Sequence, residues 1–401
     1  MSFIFAFEVL LLVYLGLAVV YTMVPSIAGK LVKSPDLPLS KQPERQNKIA
    51  ILVPAYKEDA VIVPIARKHL EQQYPREHFD VVVIADSLKE ETTNALKKLP
   101  VELVVVHFEK STKTKSLVYA LQSLEETYDI ALICDADNIL ANDFLQKVNG
   151  AYNAGHQAIQ AKRVAKNLNT PFAVLDATSE IINNHIYRRG YNALGFSSSL
   201  IGSGMAFNYA DLLNCLEQIT AVGGFDRVLQ LYLIEKGHTI RYLENALIFD
   251  EKVENSKAFT NQRKRWIASQ FVYLRKYFLK GAKALFAGNF DYFNASVLYN
   301  IFLPRIVNLG LLTILTFASL VLAGPRATTF WLWSTLLLVY VISLIIAIPK
   351  AFFTKKLLGA LLSLPKVFFI MFTLLFRLKG ADKKFIHTEH TKVDVDDHQA
   401  Y

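Results

Sequence analysis

Long stretches of the chain carry almost no charge, and they lie toward its two ends. Between Phe3 and Val24 the only charged residue is Glu8, and residues 306–323 and 327–348 carry none. A bilayer core of about 30 Å needs roughly 20 apolar residues in a helix. The pattern predicts one spanning helix that stops at Pro25 and a helical hairpin that crosses the membrane near the C-terminus.

A fourth apolar stretch, residues 357–376, has a different pattern. Pro365 and Lys366 interrupt it, and basic residues stand on both sides of it. Basic residues collect on the cytoplasmic side of membrane segments, so basic flanks at both ends argue against a simple crossing. We predict an interfacial or re-entrant hairpin there, with a further span as the alternative.

The basic residues near the first helix predict its orientation. Five of them follow it: Lys30, Lys33, Lys41, Arg45 and Lys48. No basic side chain precedes the helix, so the middle of the chain is expected in the cytoplasm of a multi-pass protein of the cell inner membrane. A cleaved signal peptide is the alternative for residues 1–25, but such peptides begin with basic residues and have shorter apolar runs.

Between residues 48 and 255 short β-branched runs alternate with helical periodicity. Strands are predicted at 49–53, 81–85, 101–106, 130–134 and 246–249, and helices at 58–72, 91–98, 114–125 and 141–153. Near-continuous apolar strands separated by helices are typical of a mostly parallel sheet covered on both faces. In such a sheet the ligand lies beyond the carboxyl ends of the strands. We therefore predict an α/β domain with its site at those ends.

Composition agrees with membrane association. Hydrophobic residues are 52% and charged residues 20%, against about 45 to 50% and about 25% in globular proteins. The net charge of +9 is explained by basic residues that flank membrane segments and contact anionic lipid, so no nucleic-acid partner is predicted. Two cysteines exclude a disulfide-stapled secreted fold.

Acidic residues follow three of the predicted strands. Glu58 and Asp59 come after the first strand, Asp86 after the second, and Asp135 and Asp137 after the fourth. Two aspartates two residues apart in an extended chain point the same way, which favours a divalent cation between them and a diphosphate. All-oxygen ligands suit Mg²⁺ or Mn²⁺. Asp86 could instead be a helix N-cap.

Together with motifs further along, these residues resemble the membrane-embedded family 2 glycosyltransferases, which include cellulose, chitin, hyaluronan and poly-N-acetylglucosamine synthases. The resemblance covers roughly residues 48–270. It implies a GT-A fold, a UDP-sugar as the expected donor, and Mg²⁺ or Mn²⁺ as the cofactor. It also implies that Asp135 lies toward the ribose and diphosphate and that Asp137 is a metal ligand, with Asp135 beside it. The implied donor-site residues are Pro54, Ala55, Tyr56, Glu58, Asp86, Lys115, Asp135, Gln262, Arg265 and Trp266.

The resemblance also assigns an acceptor loop and a general base. Gly202-Ser203-Gly204 is similar to the loop that lets an acceptor sugar approach the backbone, with an ordinary glycine-containing loop as the alternative. Gly224-Phe225-Asp226 occupies the place of the family's Glu-Asp, which implies that Asp226 is the base. Departures from the family pattern are Lys57, Phe225, Val228 and Gln230. Because of them, Asp211, Glu217 and Glu235 stay open as alternative bases.

The segment Gln262-Arg263-Lys264-Arg265-Trp266 matches the family's Gln-x-x-Arg-Trp signature. A guanidinium at Arg265 suits a leaving diphosphate because it donates paired hydrogen bonds, and Trp266 can stack on the acceptor sugar. A base on the opposite face of the donor sugar gives one-step attack with inversion. The prediction is an inverting transferase that extends a β-linked polysaccharide. Single addition to a lipid-linked or glycolipid acceptor is the alternative, and a non-catalytic nucleotide-sugar-binding scaffold is a third.

The expected organisation follows. It comprises a transmembrane helix (1–25), a cytosolic GT-A domain (26–255), an interfacial amphipathic region (256–300), two transmembrane helices (301–350), an interfacial or re-entrant segment (351–380) and a cytosolic tail (381–401). The tail, with His387 and His390, is expected to dock on the cytosolic face. Asp250-Glu251 should lie near the site or form a structural ion pair. Partners are the nucleotide sugar, a glycan or lipid-linked acceptor and membrane lipids. Since the helices are few for a channel, polymer export predicts a homo-oligomer or an export partner.

Overall fold

The computed structural model describes residues 3–32, 45–219, 223–378 and 390–395. Within them, one eight-stranded sheet has the strand order β3-β2-β1-β4-β7-β6-β8-β5. Its strands are β1 (Ile49–Tyr56), β2 (Phe79–Asp86), β3 (Glu102–Val106), β4 (Ile130–Ile133), β5 (Ile139–Leu140), β6 (Ala158–Ala165), β7 (Met205–Asn208) and β8 (Arg241–Asp250). Each of the five predicted strands is therefore present.

The sheet is mixed. β1 pairs in parallel with both β2 and β4, and β3 is parallel to β2. Beyond β4 the directions change, because β7 runs antiparallel to both β4 and β6, whereas β8 is parallel to β6 and antiparallel to β5. The expectation of a mostly parallel sheet thus holds for one half only. Apart from its last residue β7 is buried, so its apolar pattern does not reveal its direction.

Apolar residues cover the two faces of the sheet. Ile51 and Val53 of β1 join one core cluster, while Ala50 and Leu52 join the other. This alternation follows from the two-residue period of a strand, and burying each such side chain stabilises the fold by roughly 1.5 to 3 kcal/mol. The rigid sheet brings the carboxyl ends of β1, β2 and β4 to one edge.

Helices surround the sheet and continue beyond it. They are α1 (Phe3–Leu31), α2 (Ile62–His69), α3 (Glu90–Leu96), α4 (Lys113–Ser123), α5 (Phe144–Asn153), α6 (Pro171–Asn183), α7 (Tyr191–Ala193), α8 (Tyr209–Leu216), α9 (Phe225–Glu235), α10 (Ser256–Phe286), α11 (Phe290–Phe293), α12 (Tyr299–Ile301), α13 (Arg305–Ala323), α14 (Thr328–Ile346), α15 (Lys355–Leu361) and α16 (Leu364–Leu374). Two π-helical segments, Asn184–Gly190 and Asn294–Leu298, and two 3-10 turns, Arg76–His78 and Lys350–Phe352, complete the set. The four helices predicted in the middle of the chain correspond to α2, α3, α4 and α5.

In the part of the chain that the structure describes, three helical stretches are long and apolar enough to cross a membrane: Ala6–Leu31, Arg305–Ala323 and Thr328–Ile346. They lie where the sequence pattern predicts spans. Helices α15 and α16 are bent by 49° against each other, which fits either a broken span or a re-entrant loop. The apolar pattern therefore gives the right positions for these helices but does not fix the course of the last pair.

Helix α1 continues past Pro25 to Leu31, whereas the sequence pattern predicted its end at that proline. A proline inside a helix removes one hydrogen bond, but here the following turns pack against the π-helical segment Asn184–Gly190. A side chain added at Gly190 would lie 2.2 Å from the Pro25 carbonyl oxygen, which shows how close the two segments come. The His185 ring contacts the Ser26 carbonyl oxygen at 2.8 Å. This packing holds the last turns of α1 in helical form.

Candidate active site

The ends of β1 and β2 form one side of the site. Tyr56 and Asp86 are register partners, and the residues that follow them, Lys57 and Ser87, both have positive φ angles, 57° and 58°. The Lys57 amide donates to the Asp86 carbonyl oxygen at 3.1 Å, and the Ser87 hydroxyl donates to the buried Asp86 carboxylate at 3.0 Å. Both strands therefore turn sharply at the edge where their polar residues lie.

Asp86 does not cap a helix. Helix α3 begins after Lys89, whose amide donates to the Asp59 carboxylate at 2.8 Å. The Thr92 hydroxyl donates to the same oxygen of Asp59 at 2.7 Å. Asp59, rather than Asp86, thus stabilises the start of α3. Asp86 lies beside Tyr56, one of the residues predicted to bind the nucleotide.

The two aspartates after β4 lie in different environments. Asp137 is buried, whereas the Asp135 side chain is 36% exposed. The Asp135 amide donates to the Ser203 hydroxyl at 2.9 Å, and that hydroxyl donates to the Asn138 side-chain oxygen at 2.6 Å. The Asn138 amide group in turn donates to Asp137 at 3.0 Å and to Asp250 at 3.3 Å. The acidic pair is therefore tied to the predicted acceptor loop.

The electrostatics of this pair fit a divalent cation. Burial raises the pKa of Asp137 to about 6, with the Asp250 and Asp135 carboxylates adding to the rise and the positive charges of His390 and Lys166 opposing it. A cation held between Asp135 and Asp137 would offset this repulsion. Among the described residues, no group of three or more His, Cys, Asp or Glu side chains is placed to hold an ion without help. Donor oxygens and water would complete the coordination, as is usual for Mg²⁺.

The predicted acceptor loop brings main chain close to the predicted base. Gly202 and Gly204 have φ angles of 84° and 63°, a region that favours glycine. A side-chain carbon added at Gly202 would lie 3.9 Å from the Asp226 carboxylate, and one added at Gly204 would lie 2.9 Å from Ile248. The Gln160 side chain donates to the Ser203 carbonyl oxygen at 3.0 Å and fixes the loop from beneath. The conformation of this loop therefore depends on its two glycines, and its role as an acceptor loop stays a prediction.

Asp226 is the second residue of α9, and this helix begins directly after Gly224, which has a left-handed φ of 65°. Burial raises the pKa of Asp226, while Arg227 and Lys113 oppose the rise. The alternative bases lie in other contacts: Asp211 faces His238 at 3.5 Å, Glu217 accepts from Gln122 at 2.7 Å, and Glu235 pairs with Lys280 at 2.6 Å. Of these carboxylates, Asp226 is the one recorded beside the acceptor loop.

Two lysines at the start of α4 point to different places. The Lys115 ammonium donates to the Lys110 carbonyl oxygen at 3.4 Å, and no contact that the structure records joins it to the strand-end acids. Lys113 instead contacts the Asp135 carboxylate and donates to the Gly202 carbonyl oxygen at 2.7 Å. The resemblance placed Lys113 in the same basic segment as Lys115 but gave the nucleotide contact to Lys115 alone. The available signal was the pair of lysines two positions apart, which cannot share one helix face.

The Gln-x-x-Arg-Trp segment lies on α10. Arg263 pairs with Asp176, and its guanidinium stacks 4.3 Å from the centre of the Trp266 ring. Trp266 is 42% exposed, and burial lowers the pKa of Arg265. The side-chain oxygen of Gln262 is buried and has no hydrogen-bond partner among the described residues. Arg263, which the signature leaves unspecified, therefore anchors the segment and orients the tryptophan.

Asp250 at the end of β8 belongs to a buried ion network. The Lys252 ammonium donates to Asp250 at 2.7 Å, and the Arg163 guanidinium lies 3.7 Å from it. Arg163 and Arg188 both pair with the buried Glu180, at 2.7 and 2.9 Å. Asp250 thus takes part in a structural ion pair. Because Asn138 donates a hydrogen bond to it, Asp250 also lies next to the candidate site. The predicted ion pair is therefore present, and the position of Asp250 next to a functional site stays a prediction.

Part of the C-terminal tail lies on the same edge. His390 contacts the Glu58 carboxylate at 3.1 Å, and the Lys392 amide donates to Glu251 at 2.9 Å. Burial disfavours the charged ring, but Asp137 and Glu58 outweigh it and raise the pKa of His390 to about 10. Residues 390–395 of the tail therefore lie against the α/β domain, whereas His387 lies outside the described residues.

Comparison with known proteins decides the family. The family described as "Glycosyltransferase like family 2" matches residues 46–269, which is more than half of the chain and runs from β1 into α10. The chain belongs to glycosyltransferase family 2. This range contains the strand-end acids, the acceptor loop, Asp226 and the Gln-x-x-Arg-Trp segment. The protein is a glycosyltransferase.

Two curated relatives of this glycosyltransferase differ in coverage. The Bacillus subtilis protein named "Probable glycosyltransferase YdaM" is 23% identical over 363 residues, 83% of this chain and 80% of that one. The "Beta-monoglucosyldiacylglycerol synthase" of Trichormus variabilis is 27% identical over 226 residues, 54% of this chain. This second match spans 48% of the relative's length.

A solved structure supports the fold. The mannosyltransferase PcManGT of Pyrobaculum calidifontis, described in complex with GDP-Man and Mn²⁺, has a TM-score of 0.53 and 15% sequence identity. The match covers 92% of this chain and 98% of that one. At this identity the similarity concerns the fold alone. The glycosyltransferase has a GT-A fold whose sheet is mixed.

Proposed function

We propose that this glycosyltransferase moves a sugar from a nucleotide-sugar donor, a UDP-sugar by expectation, onto the end of a growing β-linked glycan with inversion. The observation that carries the proposal is the arrangement around one loop. Asp226 lies on one side of Gly202–Gly204, and the Asp135–Asp137 pair is hydrogen-bonded to the same loop through Ser203. The proposed base and the proposed donor-binding acid pair thus flank one glycine-containing loop.

Asp135 and Asp137 would hold Mg²⁺ or Mn²⁺ together with the donor diphosphate. The bound ion supplies positive charge that stabilises the leaving nucleoside diphosphate. The residues Pro54, Ala55, Tyr56, Glu58 and Asp86 would hold the base and ribose at the ends of β1 and β2. The Mn²⁺ complex of the mannosyltransferase with the shared fold is consistent with this assignment.

Asp226 would act as the general base. The acceptor hydroxyl oxygen attacks the anomeric carbon while its proton moves to Asp226, and the bond from that carbon to the diphosphate oxygen breaks with its electron pair leaving on the diphosphate. Attack from the face opposite to the leaving group inverts the anomeric configuration. The raised pKa of Asp226 suits this role, because a carboxylate with a higher pKa is the stronger base.

The membrane helices would place this chemistry at the inner face of the cell membrane. We propose that α1, α13 and α14 cross the bilayer and that α10 lies along its surface. Large apolar side chains exposed on α10, among them Phe278, Leu279 and Phe286, support this position because lipid would cover them. Trp266, partly exposed and close to the membrane face, is then available to stack on the acceptor sugar.

A second candidate function is a single sugar addition to a lipid-linked or glycolipid acceptor. The relative from Trichormus variabilis, whose name denotes synthesis of a glucosylated diacylglycerol, favours it. Both candidates use the same donor site and the same base. They differ in whether the product returns as the next acceptor.

The experiment is transfer by the purified full chain in detergent or nanodiscs. Labelled UDP- and GDP-sugars are supplied with Mn²⁺ or Mg²⁺, and both free nucleotide and product size are followed. High-molecular-weight product that disappears in Asp137→Asn and Asp226→Asn supports polysaccharide synthesis. A small lipid-extractable product supports the second candidate. Absence of metal-dependent nucleotide release from every donor contradicts both.

A further inference from the structure

Tyr273 of α10 contacts the main chain that leads into α9. Its hydroxyl donates a hydrogen bond to the Gly223 carbonyl oxygen. Its ring lies against Gly224, where an added side-chain carbon would lie 2.9 Å from a ring carbon. The tyrosine is 6% exposed and belongs to the same core cluster as Phe225. One side chain of α10 therefore holds the two residues that precede the helix of Asp226.

The start of α9 depends on this contact. A helix start is commonly stabilised by a side chain that accepts a hydrogen bond from the first turn, but Gly224 stands at this position and has no side chain to offer. Two successive glycines also leave the main chain freer to rotate than other residues would. The Asp226 carboxylate accepts from the backbone amides of Asp226 and Arg227. The carboxylate therefore moves together with the first turn of α9.

Helix α10 carries the Gln-x-x-Arg-Trp segment on the same face as this tyrosine. Gln262, Trp266 and Tyr273 follow one another at intervals of four and seven positions, and at about 100° per residue they fall within about 40° of each other. Trp266 and Tyr273 are about 10 Å apart along the helix axis. The continuous helix Ser256–Phe286 therefore sets the distance between the proposed donor-side residues and the contact that holds the proposed base.

We infer that Tyr273 is a positioning residue for the proposed base: it holds the first turn of α9 so that the Asp226 carboxylate faces the acceptor loop. The inference rests on the proposed function. A side-chain carbon added at Gly202 would lie 3.9 Å from that carboxylate, so a small rotation of the turn changes the distance between the base and the loop. No proton moves at Tyr273, which acts through the main chain alone.

The test compares Tyr273→Phe with the control Tyr277→Phe in the full chain. Tyr277 lies one turn further along α10, with its ring centre 6.3 Å from that of Tyr273, so the control removes a hydroxyl from the same helix and keeps the bond to Gly223. Misplacement of a catalytic group by about 1 Å costs up to about 100-fold in rate. We expect Tyr273→Phe to lower kcat about tenfold, while the affinity for UDP or GDP with Mn²⁺, measured by calorimetry, stays within about twofold. Tyr277→Phe should match the wild type in both.

Hydrogen exchange gives a readout that does not need activity. Loss of the bond to Gly223 should speed exchange of the amides at the start of α9 in Tyr273→Phe and not in Tyr277→Phe, as followed by mass spectrometry. Gly224→Ala disturbs the same contact from the other side, because the added carbon would overlap the Tyr273 ring. It should lower kcat at least as much with nucleotide affinity preserved, and it replaces Tyr273→Phe if thermal unfolding shows that the latter does not fold.

Three outcomes overturn the inference. A kcat of Tyr273→Phe within about twofold of the wild type means that the hydroxyl does not position the base. A parallel loss of nucleotide affinity means that the tyrosine acts on the donor side of the site. Unchanged exchange at the start of α9 means that the hydroxyl does not hold this turn. Failure of the wild type to turn over any nucleotide sugar contradicts the proposed function itself, whereas the exchange experiment tests the contact with α9 independently.

Discussion

The Ser203 hydroxyl donates a hydrogen bond of 2.6 Å to the side-chain oxygen of Asn138. The same hydroxyl accepts from the Asp135 amide, and Asn138 donates to Asp137. Ser203 and Asn138 are both fully buried. The acceptor loop and the donor acids are therefore one hydrogen-bonded unit, and a change at the centre of this unit should affect both.

Replacement of Ser203 tests this coupling. Ser203→Ala leaves the Asp135 amide and the Asn138 oxygen without a shared partner, and an unsatisfied buried polar group costs about 1 to 3 kcal/mol. We expect a lower unfolding temperature and a fall in kcat of about tenfold. Ser123→Ala is the matched control, because the Ser123 hydroxyl bonds only the carbonyl oxygen one turn earlier in α4, on the exposed surface. Equal activity and stability of the two variants would contradict the coupling.

The effect of Mn²⁺ on the unfolding temperature should distinguish a variant at Asp137 from a variant at Asp226. A ligand that binds only the folded state stabilises it by about 2.7 kcal/mol at 100 times its Kd. We expect Mn²⁺ to raise the unfolding temperature of the wild type and of Asp226→Asn, but not of Asp137→Asn. Differential scanning fluorimetry across a Mn²⁺ titration measures this, with EDTA as the reversal. A full Mn²⁺ response in Asp137→Asn would place the ion elsewhere.

The raised pKa of Asp226 predicts a pH dependence of the rate. The ionised form is the base, and its protonation begins at a higher pH than for an ordinary aspartate, whose pKa is near 3.9. The acidic limb of kcat/KM should therefore lie above that value. Asp226→Asn should lose activity at every pH. A limb at or below the ordinary aspartate value would contradict the assignment.

The raised pKa of Asp226 also predicts that the ionised form, which the reaction needs, makes the folded protein less stable. Because the folded pKa is raised above the unfolded value, the folded protein binds the proton more tightly, and ionised Asp226 destabilises the fold at neutral pH. This destabilisation disappears as the pH falls below the unfolded pKa. Asp226→Asn should thus unfold at a temperature equal to or above that of the wild type at pH 7, with a difference that shrinks toward acid pH. Unfolding scans at several pH values check it, and an inactive variant that is less stable at pH 7 would point to misfolding.

The sequence was sufficient to predict features that depend on a short run of neighbouring residues. β1, β2 and β4 are runs of buried β-branched residues, and the acids that follow them come together because parallel strands share one edge. Asp135 and Asp137 could be singled out on this basis alone. The direction of β7 could not be predicted, since a strand buried over most of its length has the same apolar pattern in either direction.

The sequence could not predict contacts that depend on where a helix starts or on segments far apart in the chain. Thr112 caps α4 by accepting from the Lys115 amide, and this start turns Lys113 rather than Lys115 toward Asp135. His390 and Glu58 are 332 positions apart, and no local pattern predicts such a contact. The positions of the apolar helices were predictable, whereas the apolar pattern leaves two paths open for α15 and α16, a broken span and a re-entrant loop.

The proposed topology can be tested with cysteine labelling. Cys134 and Cys215 are both buried, so they should give little background. Arg326, exposed in the turn between α13 and α14, is expected on the outer side, and Asp394, whose side chain is 89% exposed in the docked tail, is expected in the cytoplasm. An impermeant maleimide should label Arg326→Cys in intact cells and Asp394→Cys only after permeabilisation. Labelling of both in intact cells would contradict the arrangement.

The contact between the tail and the α/β domain also restricts how many times the chain can cross the membrane. Glu58 and His390 touch each other, so the chain must cross the bilayer an even number of times between the α/β domain and the tail. In the proposed topology helices α13 and α14 provide two crossings, and a third crossing through α15 and α16 would put His390 on the far side from Glu58. The proposed topology therefore requires the 49° bend of that pair to be a reversal within one leaflet. With α1 added, the proposed number of crossings is odd, so we expect the first and last described residues to face opposite compartments.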